Sequence, residues 1–401
     1  MKDDSANFAL EGSATAIASD VWSTRAATAS AIWIAVVGVI AYMFMPLIVG
    51  GLSEELNFSS KDLGLVAGAE AGGMALANAI AAFQLRRRDW RRLILLSCIV
   101  LVLANVVSIF IRSPFPMILT RSADGLAGGM LIAIGVACLS DNKMADTVFG
   151  YFVATEMIVS SIGFLVLPAV RSAGGVDGLF MMLAGLSASG LIALFAHPSR
   201  GRVRGAMHAV ESDAAGSVIL TLVVLFGALL FFMSQGGMWT FIERIGAGGG
   251  LSGAEIGEAL ALSSLCGIAG ALGAKALSGW AGPVLAFAFV LIGDLLCVGM
   301  LYSSVRFPVF IAASCLFIFL WSLGLPLMLV QCNSLDSSGR LVILLYAVGK
   351  LGYMVGPVVM GLLVRGADFS WVLAATVVMS SLGMIVSIVL CSDGVRRRLR
   401  W

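Results

Sequence analysis

Long apolar segments separated by short polar turns run through almost the whole chain. A helix needs about 20 apolar residues to cross a bilayer, and segments of that kind recur from residue 27 onwards. With 60% hydrophobic and only 12% charged residues, the chain carries more apolar surface than a soluble fold of 401 residues could bury. The sequence therefore predicts an all-α integral membrane protein. Twelve spans are expected, near residues 27–52, 62–85, 93–111, 114–140, 147–170, 176–196, 217–242, 254–275, 283–304, 307–332, 341–364 and 369–391.

The longest internal polar stretch, residues 197–216, divides these spans into two sets of six. We interpret residues 27–196 and 217–391 as two six-helix bundles joined by this linker. Residues 1–26 form a polar N-terminal tail without the apolar core of a signal peptide, and residues 392–401 form a basic C-terminal tail. Both histidines, His197 and His208, fall in the polar linker, so no histidine is expected inside the membrane.

The distribution of Lys and Arg predicts the orientation of the chain. Most of them fall in the loops that share a side with both termini, including RRRDWRR at residues 86–92 and the C-terminal RRRLR. Because cytoplasmic loops are enriched in Lys and Arg, both termini are expected in the cytoplasm and the protein in the cytoplasmic (inner) cell membrane.

Two short signatures recur at nearly the same offset. FSSKDLG at residues 58–64 returns as LSGAEIG at 251–257, and IRSPF at 111–115 returns as VRFPV at 305–309. Both pairs occupy equivalent places among the spans, and an even number of crossings separates them. The halves are therefore predicted to be parallel repeats around a central cavity. FSSKDLG and LSGAEIG themselves fit capping boxes that begin spans two and eight.

This layout resembles the major facilitator superfamily, and local motifs sharpen the resemblance. ILTRSADGLAGG at residues 118–129 is similar to the family's fourth-helix motif, with Arg121, Asp124 and Gly125 matching and Asp standing where Gln is usual. GKLGYMVGPVVMG at 349–361 is similar to the Gly-Pro-rich antiporter motif, although that motif belongs to the fifth helix. EMIVSSIGFLVLP of span five departs from it, and RRRDWRR lacks the family's usual Gly and Asp. The resemblance implies a monomeric secondary transporter that works by alternating access.

The sharpest candidate site is a pair of opposite charges, Glu156 and Lys350. They occupy equivalent points on spans five and eleven, each about 15 Å from the cytoplasmic helix end, which is near the midplane. Charges inside the membrane are costly and usually functional. The pair can grip a zwitterion, or Lys350 can hold an anion while Glu156 carries a proton. The structural alternative is a direct salt bridge between the halves.

A second group of charges comprises Glu70, Arg121 and Asp124. Arg121 and Asp124 are three residues apart on one helix and can pair, and Glu70 lies at a similar depth on span two. The group is interpreted as either a neutralised structural ion pair or part of the proton-coupling machinery. The family resemblance favours coupling, since the corresponding Arg in relatives tunes the protonation of nearby carboxylates, and it makes Arg121 a candidate for substrate binding as well.

The remaining candidates are weaker. Trp239 and Phe241, with Phe231, Phe232 and Trp321, are expected either to wall the substrate site or to pack the bundle. Asp294 is expected to make a structural pair or an interhelical hydrogen bond, and Glu243 with Arg244 an outer-surface pair.

No metal cluster, cofactor motif, nucleotide-binding loop or nucleophile–base pair is present, so the chain is not expected to be an enzyme or to bind nucleic acid. The sequence favours a proton-coupled transporter of a small organic solute, such as an organic or aromatic acid, that takes up its substrate by symport. Drug/proton antiport and a membrane sensor remain the alternatives.

Overall fold

The computed structural model describes residues 21–201, 218–336, 340–366 and 368–392. Most of the two predicted tails, most of the linker and His208 lie outside this part of the chain. The described part is helical throughout, as predicted. Its α-helices are α1 (Arg25–Met43), α2 (Met45–Leu56), α3 (Ser60–Gln84), α4 (Trp90–Ser108), α5 (Pro114–Ser140), α6 (Ala145–Ser189), α7 (Val218–Gly248), α8 (Gly253–Ser303), α9 (Phe307–Leu335), α10 (Arg340–Leu363) and α11 (Ser370–Cys391).

Within the described residues, eleven helical segments are long and apolar enough to cross a membrane. The sequence predicts twelve spans, and the difference lies in Ala145–Phe195, a single helical stretch of 51 residues. This stretch bends at Gly175, whose φ of 64° and ψ of −161° lie outside the helical region. Only glycine adopts that conformation readily. Gly282 makes the equivalent break inside α8, with φ 76° and ψ 166°.

The predicted turns and caps are largely as expected. α4 ends at Ser108 before Pro114 opens α5, and α8 ends at Ser303 shortly before α9 begins, because proline is suited to the first helical turn. Ser252 and Glu255 form a complete capping box at α8. At α3 the Ser59 hydroxyl also accepts from the Asp62 backbone N–H, but the Asp62 carboxylate accepts from that hydroxyl at 2.5 Å. The second box is therefore only half formed.

The two halves of the chain meet along paired helices near one end of the bundle. We call this the closed end; there α2 stops and α3 starts. The opposite end, where α1 starts and α11 stops, is the termini end. Gly64 of α3 lies against the Pro357 backbone of α10, and Gly257 of α8 lies against Phe164 of α6. A side chain at Gly64 would collide with the Pro357 carbonyl, so glycine allows this close helix approach.

An ion-pair network ties the halves together at the closed end. Arg171 of α6 contacts Glu54 at 2.6 Å, Glu55 at 3.1 Å and Glu243 of α7 at 3.4 Å. Arg244 of α7 contacts Glu54 at 2.6 Å. The expected surface pair of Glu243 with Arg244 is thus wrong. Glu243 is buried and Arg171 reaches it from the first half, because adjacent residues on a helix point in different directions.

The start of the linker is packed onto the first half at the termini end. His197, which the sequence places in a polar stretch, is fully buried. Its Nδ1 lies 2.9 Å from Ser30 Oγ, and Arg91 donates to its backbone carbonyl at 2.7 Å. Burial and the nearby Arg91 charge lower the pKa of His197 to about 4, since both disfavour the imidazolium.

Candidate functional site

A cavity of about 400 Å³ lies between the two halves of the chain. Residues from α1, α3, α5 and α6 of the first half and from α7 to α10 of the second half line it. It extends from the level of Phe164 and Trp239 towards Phe152 and Ala271, which lie nearer the termini end. The closed end therefore seals one side of the cavity with paired helices and ion pairs. The cavity has the size and the mixed lining of a small-molecule site.

Glu156 and Lys350 both line this cavity, Glu156 from α6 and Lys350 from α10. Among the described lining residues they are the only charged ones. Each is half-buried, and no ion pair within 4.0 Å joins them. Lys350 Nζ lies 6.0 Å from the centre of the Tyr353 ring. The direct salt bridge considered from the sequence is not formed, and both charges face the space between the walls.

Aromatic side chains form much of the cavity wall. Trp321 lies 5.7 Å from both Trp239 and Tyr353, measured between ring centres, and Trp239 lies 5.8 Å from Phe164. The Trp321 Nε1 donates to the Tyr353 hydroxyl at 2.7 Å, which fixes both rings. Tyr42 adds a buried hydroxyl without a hydrogen-bond partner in the described residues. Sequence reasoning named both tryptophans but missed the two tyrosines, since isolated tyrosines in apolar spans carry no distinctive signal.

Phe241 lies outside the cavity. It is completely buried and packs against Phe369, with 6.4 Å between the ring centres. Phe231 and Phe232 likewise pack against each other at 5.5 Å and do not line the cavity. The expectation that Phe241 contacts substrate is corrected: on α7 it points away from the face that carries Trp239.

Glu70, Arg121 and Asp124 come together inside the first half, outside the lining of the cavity. Arg121 Nη1 lies 3.9 Å from Glu70 Oε2 and 3.5 Å from Asp124 Oδ1. Arg121 Nη2 also donates to Asn105 at 3.2 Å and Ser108 at 3.0 Å. The contact between Glu70 and Arg121 suggested by their equal depth is confirmed. Asn105 and Ser108 of α4 were missed, because single polar residues in an apolar span give no pattern.

This Arg121 cluster is almost completely enclosed. All three charged side chains are at most 2% exposed, and Asn105 donates to Asp124 at 2.7 Å. Glu70 Oε2 has no hydrogen-bond partner in the described residues. Two carboxyl groups share one guanidinium, so the cluster is electroneutral when one of them carries a proton. None of the three lines the cavity, and the structure does not support Arg121 as a direct substrate contact.

Asp294 also lies outside the cavity. It is buried on α8, and Ser380 of α11 donates a hydrogen bond to its carboxylate. Of the structural pair and the interhelical hydrogen bond considered from the sequence, the structure shows the hydrogen bond. Within the described residues, no group of three or more His, Cys, Asp and Glu side chains could hold a metal ion.

Comparison with known proteins agrees with this architecture. Residues 30–341 match the Major Facilitator Superfamily, which covers most of the chain, and the protein belongs to that family of transporters. It is a transporter and not an enzyme. No curated protein sequence matches significantly.

Solved structures share the fold at low sequence identity. The nucleoside transporter NupG is 10% identical with a TM-score of 0.72, covering 94% of this chain and 100% of that one. A bacterial homologue of the human drug peptide transporters PepT1 and PepT2 is 14% identical with a TM-score of 0.69, covering 94% and 100%. A bacterial homologue of the human lysosomal transporter Spinster, solved inward-facing and unoccupied, is 12% identical with a TM-score of 0.67, covering 93% and 95%. At such identities the likeness establishes the fold alone.

Proposed function

We propose that the protein is a proton-coupled secondary transporter that takes up a small organic acid by symport. The observation that carries this proposal is the cavity in which one acid and one base, Glu156 and Lys350, face each other across aromatic walls. Residues of both halves of the chain line this cavity, as alternating access requires. One chain supplies the whole cavity, so a monomer is the proposed transport unit.

The topology proposed is that of twelve crossings in two parallel repeats. Gly175 divides Ala145–Phe195 into spans five and six, as Gly282 divides spans eight and nine. The basic loops favour a cytoplasmic location for the termini end and for both termini, in the inner cell membrane. With that orientation the described cavity is directed inward, and the closed end faces the outside.

The substrate class follows from the chemistry of the lining. Lys350 is a compact cation that can pair with a carboxylate, and charge-assisted hydrogen bonds are the strong ones in such sites. Trp239, Trp321 and Tyr353 provide flat apolar surface for an aromatic or aliphatic body. A volume of about 400 Å³ suits a small solute. NupG is named as a nucleoside transporter and other neighbours as peptide transporters, so the shared fold does not itself select a substrate.

Glu156 is the proposed carrier of the coupled proton. As a carboxylate it can pair electrostatically with Lys350, and as a neutral acid it leaves Lys350 available to the anion. Proton binding at Glu156 therefore favours anion binding at Lys350, which is the coupling that symport needs. The Arg121 cluster is the proposed second proton-holding group, because its two carboxyls share one cation.

Drug/proton antiport is the second candidate. The cavity lining is mainly apolar, with Met43, Met74 and Met157 beside the aromatic residues, and flexible methionine surfaces accommodate varied amphipathic compounds. In that case Glu156 would bind a cationic drug instead of a proton. A non-transporting membrane sensor with a ligand-binding cavity is the third.

Counterflow of labelled solutes in proteoliposomes distinguishes these functions. Proteoliposomes that contain the purified chain are loaded with one unlabelled compound at a time. The panel comprises organic acids, neutral analogues, zwitterions and lipophilic cations. Exchange of an acid, and its accumulation when the outside is more acidic, supports symport. Exchange of cations alone supports antiport, and no exchange of any compound supports the sensor.

A further inference from the structure

A second cavity, of about 500 Å³, lies at the termini end of α3 and α5. Ala133, Ala137 and Ser140 line it from α5, while Phe83, Arg86 and Arg87 line it from the end of α3 and the turn that follows. It is separate from the substrate cavity, with which it shares no lining residue. We call it the loop cavity, because Arg86 and Arg87 of the basic loop RRRDWRR form its mouth.

The arginines of the loop RRRDWRR differ in their partners. Arg86 contacts the buried Asp141 carboxylate at 3.1 Å, so its charge is balanced. Arg88 donates to Gln84 at 3.3 Å, Arg91 to the His197 carbonyl at 2.7 Å, and Arg92 lies 3.9 Å from Asp89. In the part of the chain that the structure describes, Arg87 is the one arginine of this loop with neither an ion pair nor a hydrogen bond. An exposed, unbalanced guanidinium therefore stands at the mouth of the loop cavity.

The other side of the loop cavity continues into an exposed apolar surface. Phe83 is 84% exposed, and Ile80 and Leu76 lie one and two turns before it on α3 with 39% and 57% exposure. A membrane-spanning helix presents such a stripe to the acyl chains of lipids. Because Phe83 belongs to both the stripe and the cavity, the loop cavity opens where acyl chains meet the polar headgroup layer.

We propose that the loop cavity binds an anionic phospholipid. Arg87 pairs with its phosphate, the Ser140 side of the mouth faces the headgroup, and Phe83 with the alanines of α5 packs against an acyl chain. A basic pocket between helices at the membrane surface is the arrangement by which proteins select anionic lipid headgroups. Arg suits this role because its planar guanidinium forms two parallel hydrogen bonds to a phosphate.

Lipid retention by the purified full-length chain tests the proposal. The chain is mixed with phosphatidylglycerol or phosphatidylcholine in detergent, and bound lipids are counted by native mass spectrometry. The wild type should retain one phosphatidylglycerol in preference to phosphatidylcholine. Arg87→Gln should weaken that retention about fivefold, which corresponds to the loss of about 1 kcal/mol for one surface arginine.

Matched variants separate a built site from general surface charge. Arg88→Gln removes the same charge one residue away and should lower phosphatidylglycerol retention by less than about twofold. A drop of that size is what we expect from a nonspecific loss of surface charge. Ala137→Leu keeps every charge but fills the cavity, and should lower retention as Arg87→Gln does. Arg87→Lys should retain more phosphatidylglycerol than Arg87→Gln, because lysine keeps the positive charge.

The proposal is overturned if Arg87→Gln and Arg88→Gln weaken retention equally, since the loop would then act only as a diffuse positive surface. It is also overturned if inorganic phosphate protects the chain against thermal unfolding as well as phosphatidylglycerol does. That result would make the cavity a site for free anions.

Discussion

Two groups of charges lie within membrane-spanning helices and differ in how they are surrounded. One is the Arg121 cluster of the first half, and the other is Glu156 of the first half with Lys350 of the second half. The Arg121 cluster is enclosed by α3, α4 and α5, and Asn105 and Ser108 satisfy part of its hydrogen-bonding capacity. Glu156 and Lys350 instead face an open cavity, with no ion pair between them within 4.0 Å among the described residues. Residue type and depth are similar in both places. What differs is enclosure, and enclosure decides whether a charge can meet a solute.

The comparison also separates two roles that the sequence could not divide. A charge sealed among partners stabilises one arrangement of helices, and removing it leaves its partners unpaired. A charge on a cavity wall is available to each arriving ligand. We therefore propose substrate binding for Glu156 and Lys350 and a structural and proton-holding role for Glu70, Arg121 and Asp124.

The largest effect should follow removal of the enclosed cation. Arg121→Ala leaves two buried carboxyl groups without their counter-charge, and breaking such a pair costs about 3–5 kcal/mol. We expect a sharply lowered thermal unfolding temperature in detergent, measured by intrinsic fluorescence. Lys350→Ala serves as the control and should unfold close to the wild type. Equal destabilisation by both variants would remove the distinction between the sealed and the open group.

The next effect concerns selectivity at the cavity. Lys350→Ala should weaken binding of an organic acid by about 1.5–3 kcal/mol, the range for hydrogen bonds to charged groups. A neutral analogue of the same shape should lose much less. Quenching of fluorescence from Trp239 and Trp321, which line the cavity, measures both affinities. Equal losses for the acid and the neutral analogue would show that Lys350 does not act as an anion clamp.

A smaller effect is expected at the closed end. Arg171→Gln removes contacts to Glu54, Glu55 and Glu243, and for such a partly exposed network we expect a shift of about 1 kcal/mol, or roughly fivefold, towards opening. A cysteine placed at Ser60, which lies against Gly361 of α10, should react correspondingly faster with a membrane-impermeant maleimide.

The matched control for this network is Arg112→Gln. Arg112 pairs with Asp177 at 2.6 Å within the first half, so its loss should leave labelling at Ser60 unchanged. Faster labelling in both variants would mean that the network does not hold the two halves together.

The smallest expected effect is a pH dependence of stability from His197. Its folded pKa of about 4 is below the ordinary value of 6.5, so the unfolded chain binds the proton more readily between these values. Stability is therefore full above about pH 6.5 and should fall by about 1 kcal/mol on acidification to about pH 5.5. Denaturant unfolding of the wild type and of His197→Gln at both pH values measures this difference. If His197→Gln loses as much stability on acidification as the wild type does, the pH dependence comes from other groups.

Much of the fold could be predicted from the sequence because apolar length and turn residues act locally. The Pro114 turn and the Ser252 capping box are examples, and each depends on the chemistry of a few adjacent residues. The repeat gave a long-range constraint on Glu156 and Lys350, so their placement at one level between the halves was predictable, and both line one cavity. Placement was not predictable for Phe241, Glu243 and His197, because the direction and burial of those side chains depend on packing against elements distant in sequence.

The central claim is that Glu156 couples protons to a solute held by Lys350. The most direct test is accumulation of an exchanged acid driven by a pH gradient in proteoliposomes, compared with counterflow without a gradient. We predict that Glu156→Gln keeps counterflow but loses gradient-driven accumulation by roughly tenfold or more, since the variant cannot carry the proton. Accumulation by Glu156→Gln at the wild-type level would contradict the account.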